Sequence, residues 1–131
     1  MKTHVTFMTD LFETGIRKQD AAGDRLLGGD LAQWLIGKSR GGEFTLSGPD
    51  QDQTGWSDVV RCEGQEFKLG IAIEHSSVGD GYAEWRITVR SSHGLGGLSS
   101  ANTAVRRRLC DHVYNVLRDE HKIREIQWTD N

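Results

Sequence analysis

The sequence predicts an α+β fold: a mostly antiparallel sheet of five to six strands with two helices on one face. Three observations carry that prediction. Segments 65–74 and 84–90 alternate apolar and polar residues strictly, as half-buried strands do. Segments near 24–40 and 100–120 repeat their apolar residues every three to four positions, as amphipathic helices do. Short turns rich in glycine join the alternating segments, which favours antiparallel neighbours with one solvated face. The predicted order is β-α-β-β-β-β-α-β, a split β-α-β arrangement with an added hairpin.

Residues 3–9 alternate, with Val5 and Phe7 on one face, and give a first strand. Residues 10–23 are polar, hold Gly15 and Gly23, and read as a loop. From Asp24, a plausible N-cap, Leu27, Leu31, Trp34 and Leu35 share a helical face. Gly28 and Gly29 conflict with that helix, since each costs about 1 kcal/mol relative to alanine. A start at Asp30 would make the helix short, and Gly41-Gly42 would stop it. Residues 43–46 form a short strand ended by Gly48-Pro49, and residues 50–55 form a polar loop. The clearest hairpin joins 56–62 to 65–74 across Glu63-Gly64. Its second arm places Phe67, Leu69, Ile71 and Ile73 on one face and Glu66, Lys68 and Glu74 on the other. After a polar turn at 75–81, Trp85, Ile87 and Val89 alternate with Glu84, Arg86, Thr88 and Arg90. Val105, Leu109, Val113, Val116 and Leu117 stripe the second helix, and residues 123–128 make the last strand.

Composition narrows the class of protein. The chain of 131 residues has one domain's worth of length, taken as residues 1–131. A domain of that size buries roughly two-thirds of its unfolded surface, so it can build a core without staples. Apolar residues are 36% and four Trp with four Phe are present, which argues against disorder. A net charge of −3 argues against a nucleic-acid partner recognised through bulk positive charge. No stretch approaches the roughly 20 apolar residues of a membrane span, and no apolar signal segment follows Lys2. Cys62 and Cys110 lie far apart, which suits reduced thiols in a cytoplasmic protein. The expected state is a monomer, or a weak homodimer through an exposed edge strand.

One glycine-rich loop invites a ligand. Residues 91–100, Ser-Ser-His-Gly-Leu-Gly-Gly-Leu-Ser-Ser, lead from a strand into a helix start. Backbone N–H groups there can approach an anion, so His93, Gly94, Gly96, Gly97 and Ser99 are candidate ligand-binding residues. The run matches neither G-x-x-x-x-G-K-[ST] nor G-x-G-x-x-G. It resembles the pyrophosphate loop of the coenzyme-A-dependent N-acetyltransferases, whose pattern is R/Q-x-x-G-x-G/A. Arg90 stands one residue too far from Gly94-Leu95-Gly96 for a full match, and the resemblance spans about forty residues. It implies a phosphate or coenzyme-A site, or an acyltransferase-like enzyme, as the alternative function. Read without it, the loop is a flexible glycine connection.

Other chemistry is sparse. Cys110 and His112 lie two apart on a helix and point to different faces. A metal would need His75 or His93 to converge with Cys110 or His112 across the fold. No paired metal motif is present, so no metal or cofactor is expected. His112, at the edge of an apolar stripe, reads as a half-buried packing residue. Serines are plentiful, but no G-x-S-x-G elbow appears, and no catalytic residue is assigned. Arg106-Arg107-Arg108 spreads around about 200° of helix and makes no single patch.

The acidic segment 43–66 stands out. Glu43, Asp50, Asp52, Asp58, Glu63 and Glu66 against Arg61 give it a charge of −5, leaving the other residues at +2. Trp56 offers an aromatic anchor within it. The expected function is a non-catalytic protein–protein interaction or accessory module, with an immunity-like role as one form of it. It would take a basic protein partner at Asp50, Asp52, Trp56 and Asp58. The competing reading is a solvated acidic edge with Trp56 starting a core-facing strand.

Overall fold

The period-two segments hydrogen-bond into one six-stranded sheet in the computed structural model, which describes residues 2–12, 28–52, 55–76, 82–91 and 100–130. In chain order the elements are β1 (Lys2–Thr9), α1 (Gly29–Lys38), β2 (Thr45–Asp52), β3 (Gly55–Cys62), β4 (Gln65–Ser76), β5 (Ala83–Ser91), α2 (Ser100–Arg118) and β6 (Ile123–Asp130). The order across the sheet is β2-β3-β4-β5-β1-β6, and every neighbouring pair is antiparallel. β5 and β6 therefore run parallel on either side of β1, so β5-α2-β6 is the predicted split β-α-β unit. The α+β class, the two helices and the element order all agree with the sequence.

Alternation decides which side chains are buried. Val5 and Phe7 on β1, Phe67, Leu69 and Ile71 on β4, and Trp85, Ile87 and Val89 on β5 all lie within one buried cluster. The helices complete it with Leu31, Ala32 and Leu35 from α1 and Val105, Leu109, Val113 and Leu117 from α2. Both helices thus cover the same face. Burying one such aliphatic or aromatic side chain contributes about 1.5–3 kcal/mol.

Two boundaries differ from the sequence reading, each for a local reason. β2 does not stop at Gly48-Pro49 but continues to Asp52, and a register shift between Ser47 and Asp50 absorbs the extra residues. A border strand accepts proline because its outward N–H has no ladder partner to lose. Helix α1 begins at Gly29, behind Gly28 at φ 121°. A Cβ on Gly29 would lie 3.0 Å from Cε2 of Trp56, and one on Gly28 would lie 3.0 Å from Cγ2 of Ile71. The two glycines that argue against a helix are the point where its first turn lands on the sheet. Residues 24–27, with the proposed Asp24 cap, lie outside the described residues.

The hairpin between β3 and β4 turns at Glu63 and Gly64, with φ of 51° and 76°. Two consecutive positive φ values are the type I′ signature, matched to the twist of the flanking strands. In β6, Glu125 and Ile126 together face the single residue Phe7, and Glu125 has φ 55°. Both border strands are thus irregular, which discourages edge pairing with another sheet.

Two glycine substitutions probe this account with opposite signs. Gly55 has φ 145°, and a Cβ there would sit 2.8 Å from the Ile71 carbonyl oxygen. Gly55→Ala is expected to destabilise by about 1–3 kcal/mol. Gly37 lies in α1 with nothing within 4 Å of its added Cβ. Gly37→Ala is expected to stabilise by roughly 0.5–1 kcal/mol. Melting curves of both variants check the pair.

Candidate functional site

The β2–β3 hairpin carries three of the six acidic residues that the sequence singles out, Asp50, Asp52 and Asp58. Register pairs Asp50 with Ser57, Gln51 with Trp56 and Asp52 with Gly55, so Asp50, Asp52 and Trp56 come together at one end of the hairpin. The Asp50 side chain is exposed and has no hydrogen bond or ion pair among the described residues. Trp56 is half-buried, packed against the core cluster and against Gly29 of α1. It is therefore part core residue and part surface, as a strand start at a sheet corner allows.

Asp58 does not join them at the surface. It occupies an inward position of β3, opposite Leu69 of β4, and is 0% exposed. Neither carboxyl oxygen has a hydrogen-bond partner. The irregular turn of β2 closes over it: a Cβ on Gly48, at φ 117°, would lie 3.5 Å from Asp58 Oδ1. Burial first, and then the negative charge of Asp50, push the Asp58 carboxyl up to about 7. The expectation that Asp58 contacts a partner is corrected, because a side chain with no exposed surface has none to offer.

The remaining acids of segment 43–66 are divided among cations. Arg61 Nε donates to Glu66 Oε1 at 3.0 Å. Arg108, reaching from α2, pairs with Glu63 and stands 3.6 Å from Glu43. Both acids are far from Arg108 along the chain and are supplied by the fold. Arg106 turns elsewhere and donates to the Val89 carbonyl at 3.0 Å, so the arginine run is split as its helical spacing requires. The −5 of the segment is consequently no single negative field.

Glu43, Cys62 and Glu63 bring three possible ligand atoms within 4.8 Å of one another. Sequence spacing gives no sign of this cluster, which the β3–β4 turn and the approach to β2 create. Its chemistry is poor for a metal. Arg108 already supplies the positive charge, with Nη2 3.8 Å from Cys62 Sγ. Burial, with Glu63 and Glu43 beside it, pushes the Cys62 thiol up, against the pull of Arg108. A protonated thiol is neither a good ligand nor a nucleophile.

His112 and Ser39 form a second polar contact that sequence alone does not reveal. Ser39 Oγ and His112 Nε2 lie 2.9 Å apart, and the imidazole stacks at a tilt 5.2 Å from Phe44. Burial holds the His112 pKa below its ordinary value, against an opposing pull from Glu43. A serine beside a neutral imidazole has the elements of a nucleophile and base. Ser39 is only 4% exposed, however, so the pair fastens the end of α1 to α2 rather than meeting a substrate. His112 is the half-buried packing residue expected.

His93, Gly94, Gly96, Gly97 and Ser99 lie outside the described residues. No described helix is long and apolar enough to cross a membrane. Compared with known family models, curated proteins and solved structures, the chain matches none.

Asp58 gives the site a measurable signature. Its carboxyl titrates near 3.8 when unfolded and about 7 when folded, so the folded state binds its proton more tightly. Its contribution to stability is full below about pH 4 and is lost as pH rises through 7. The shift corresponds to about 4 kcal/mol. Asp58→Asn is expected to flatten this dependence and to raise the melting temperature at pH 8. Denaturant titrations of both proteins from pH 5 to pH 8 provide the check.

Proposed function

We propose that the chain is a non-catalytic protein–protein interaction or accessory module that receives a basic partner at the Asp52–Gly55 end of the β2–β3 hairpin. The observation that supports it best is the exposed, unpartnered Asp50 on a border strand, one register step from half-exposed Trp56. A basic partner reaching around this border would meet the Asp50 carboxylate on one face of the strand pair and the exposed edge of Trp56 on the other, where a lysine or arginine stem can pack on the ring. The buried Asp58 strengthens the charge argument. Its carboxylate and that of Asp50 repel each other, and an approaching cation would relieve both. Rim charges of this kind act mainly on association rate and are weakened by salt. A cytoplasmic location fits the two free cysteines, Cys62 and Cys110.

A photo-crosslinking residue in place of Gln51, in the full chain, tests the reading in native lysate. Discrete basic proteins are expected to crosslink at low salt. Capture should fall at about 0.5 M salt, where screening reaches within a few ångströms. It should also fall in an Asp50→Lys background. The same capture in all three conditions refutes the proposal.

A further inference from the structure

The face of the sheet turned away from the helices holds a basic group. Outward positions of β4 and β5 pair Lys68 with Arg90, Gly70 with Thr88 and Ala72 with Arg86. Ser57 of β3 lies beside Gly70. Between these residues runs a depression of about 210 Å³ lined by Ser57, Lys68, Gly70, Arg86, Thr88 and Arg90 and, on β3, by Trp56.

Three features of it are unexplained by folding. Like charges directly opposite each other destabilise a sheet, yet Lys68 faces Arg90. Both are exposed, and neither has an ion pair among the described residues, whereas nearby Arg86 is paired with Glu74 at 2.8 Å. Gly70 lies well inside the strand, where glycine costs about 0.5–1 kcal/mol. No neighbour forces it: an added Cβ would meet nothing within 4 Å. Glycine at this position keeps the floor of the depression clear, and the two free cations stand over it.

We propose that this depression binds the phosphoryl group of a small molecule. Lys68 and Arg90 supply the two free charges, Arg86 a third shared with Glu74, and Thr88 a hydroxyl between the rows. A phosphoryl dianion matches two converging cations better than a single carboxylate does, and arginine meets its oxygens in a forked geometry. The volume is below the roughly 300–1,000 Å³ of sites for drug-sized ligands, so it holds one headgroup. Single-stranded nucleic acid would call for stacked aromatic rings along the face. The outward positions of β4 and β5 here hold charged and small residues instead. The site adjoins the acidic end of the hairpin, since Trp56 belongs to its lining and Ser57 pairs with Asp50, but its cations lie on β4 and β5 and it does not depend on the reading given for that end.

Titration of the full chain with pyrophosphate and glycerol phosphate, at constant ionic strength in chloride, tests the proposal by calorimetry and backbone amide shifts. Saturable binding is expected, with shifts centred on residues 68, 70, 88 and 90. Lys68→Gln and Arg90→Gln should each weaken it by about tenfold or more. Gly70→Val should remove it by filling the floor. Without ligand, Lys68→Gln should raise the melting temperature, because it relieves the facing charges, whereas a residue kept for the fold would lower it. Non-saturable binding, or binding unchanged in the glutamine variants, overturns the site. A phosphoserine peptide that binds where both small phosphates fail overturns the assignment to a small molecule.

Discussion

The structure depends on hiding one face of a six-stranded sheet beneath two helices of 10 and 19 residues. Strands with a period of two cannot hide an apolar row without presenting the alternate row to water. Trp85, Ile87 and Val89 are buried because α1 and α2 lie over them; Arg86, Thr88 and Arg90 face outward for the same reason. The open face, with its cations, is thus the obligatory complement of the core. The close approach of α1 is equally constrained, since Gly28 and Gly29 leave room for Trp56 and Ile71 that any side chain would take.

Asp58 is where that logic is broken. Its position in β3 belongs to the buried row, between Trp56 and Val60, and an apolar residue there would be stable without qualification. A carboxyl group with no hydrogen-bond partner costs free energy in proportion to how firmly it is ionised. The fold answers by holding it near neutrality and wrapping the irregular turn of β2 around it. That turn is on the border of the sheet, where a strand can shift register without disturbing further neighbours. A conflict with packing at this one position, beside the free Asp50, is the kind of local inconsistency that functional surfaces impose on an otherwise consistent sequence.

Much of this was legible in the residues. Alternation in β4 and β5, and the apolar stripe of α2, lie in long regular patterns that tertiary packing only confirms. The Glu63-Gly64 turn was legible because only a short connection fits two alternating arms. The extension of β2 past Pro49 was not, because proline ends a strand in the middle of a sheet but not at its border, and border status is a property of the whole topology. Nor was the inward direction of Asp58: the β2 register shift sits opposite it, and a carboxylate in a strand by itself favours an outward position. The Arg108 contacts join positions 43, 63 and 108, a separation that no local spacing encodes. The outward direction of Lys68 and Arg90 follows from alternation, but that they face each other depends on the β4–β5 register.

Charge arithmetic along the chain and charge in space lead to different molecules. Along the chain, segment 43–66 is the negative region. In space, Arg61 and Arg108 take up three of its acids, burial removes Asp58 from the surface, and Asp50, exposed and without an ion pair among the described residues, lies at the end of one hairpin. The cations that balance the count lie on two faces: Arg106 and Arg108 are spent on the helix side, while Lys68 and Arg90 stay free on the open side. A protein of net −3 therefore presents a free acid at one sheet border and a free basic pair on the sheet's outer surface. At physiological ionic strength charges interact over about 8 Å, so each patch acts on what reaches it and the net charge of the chain acts on neither.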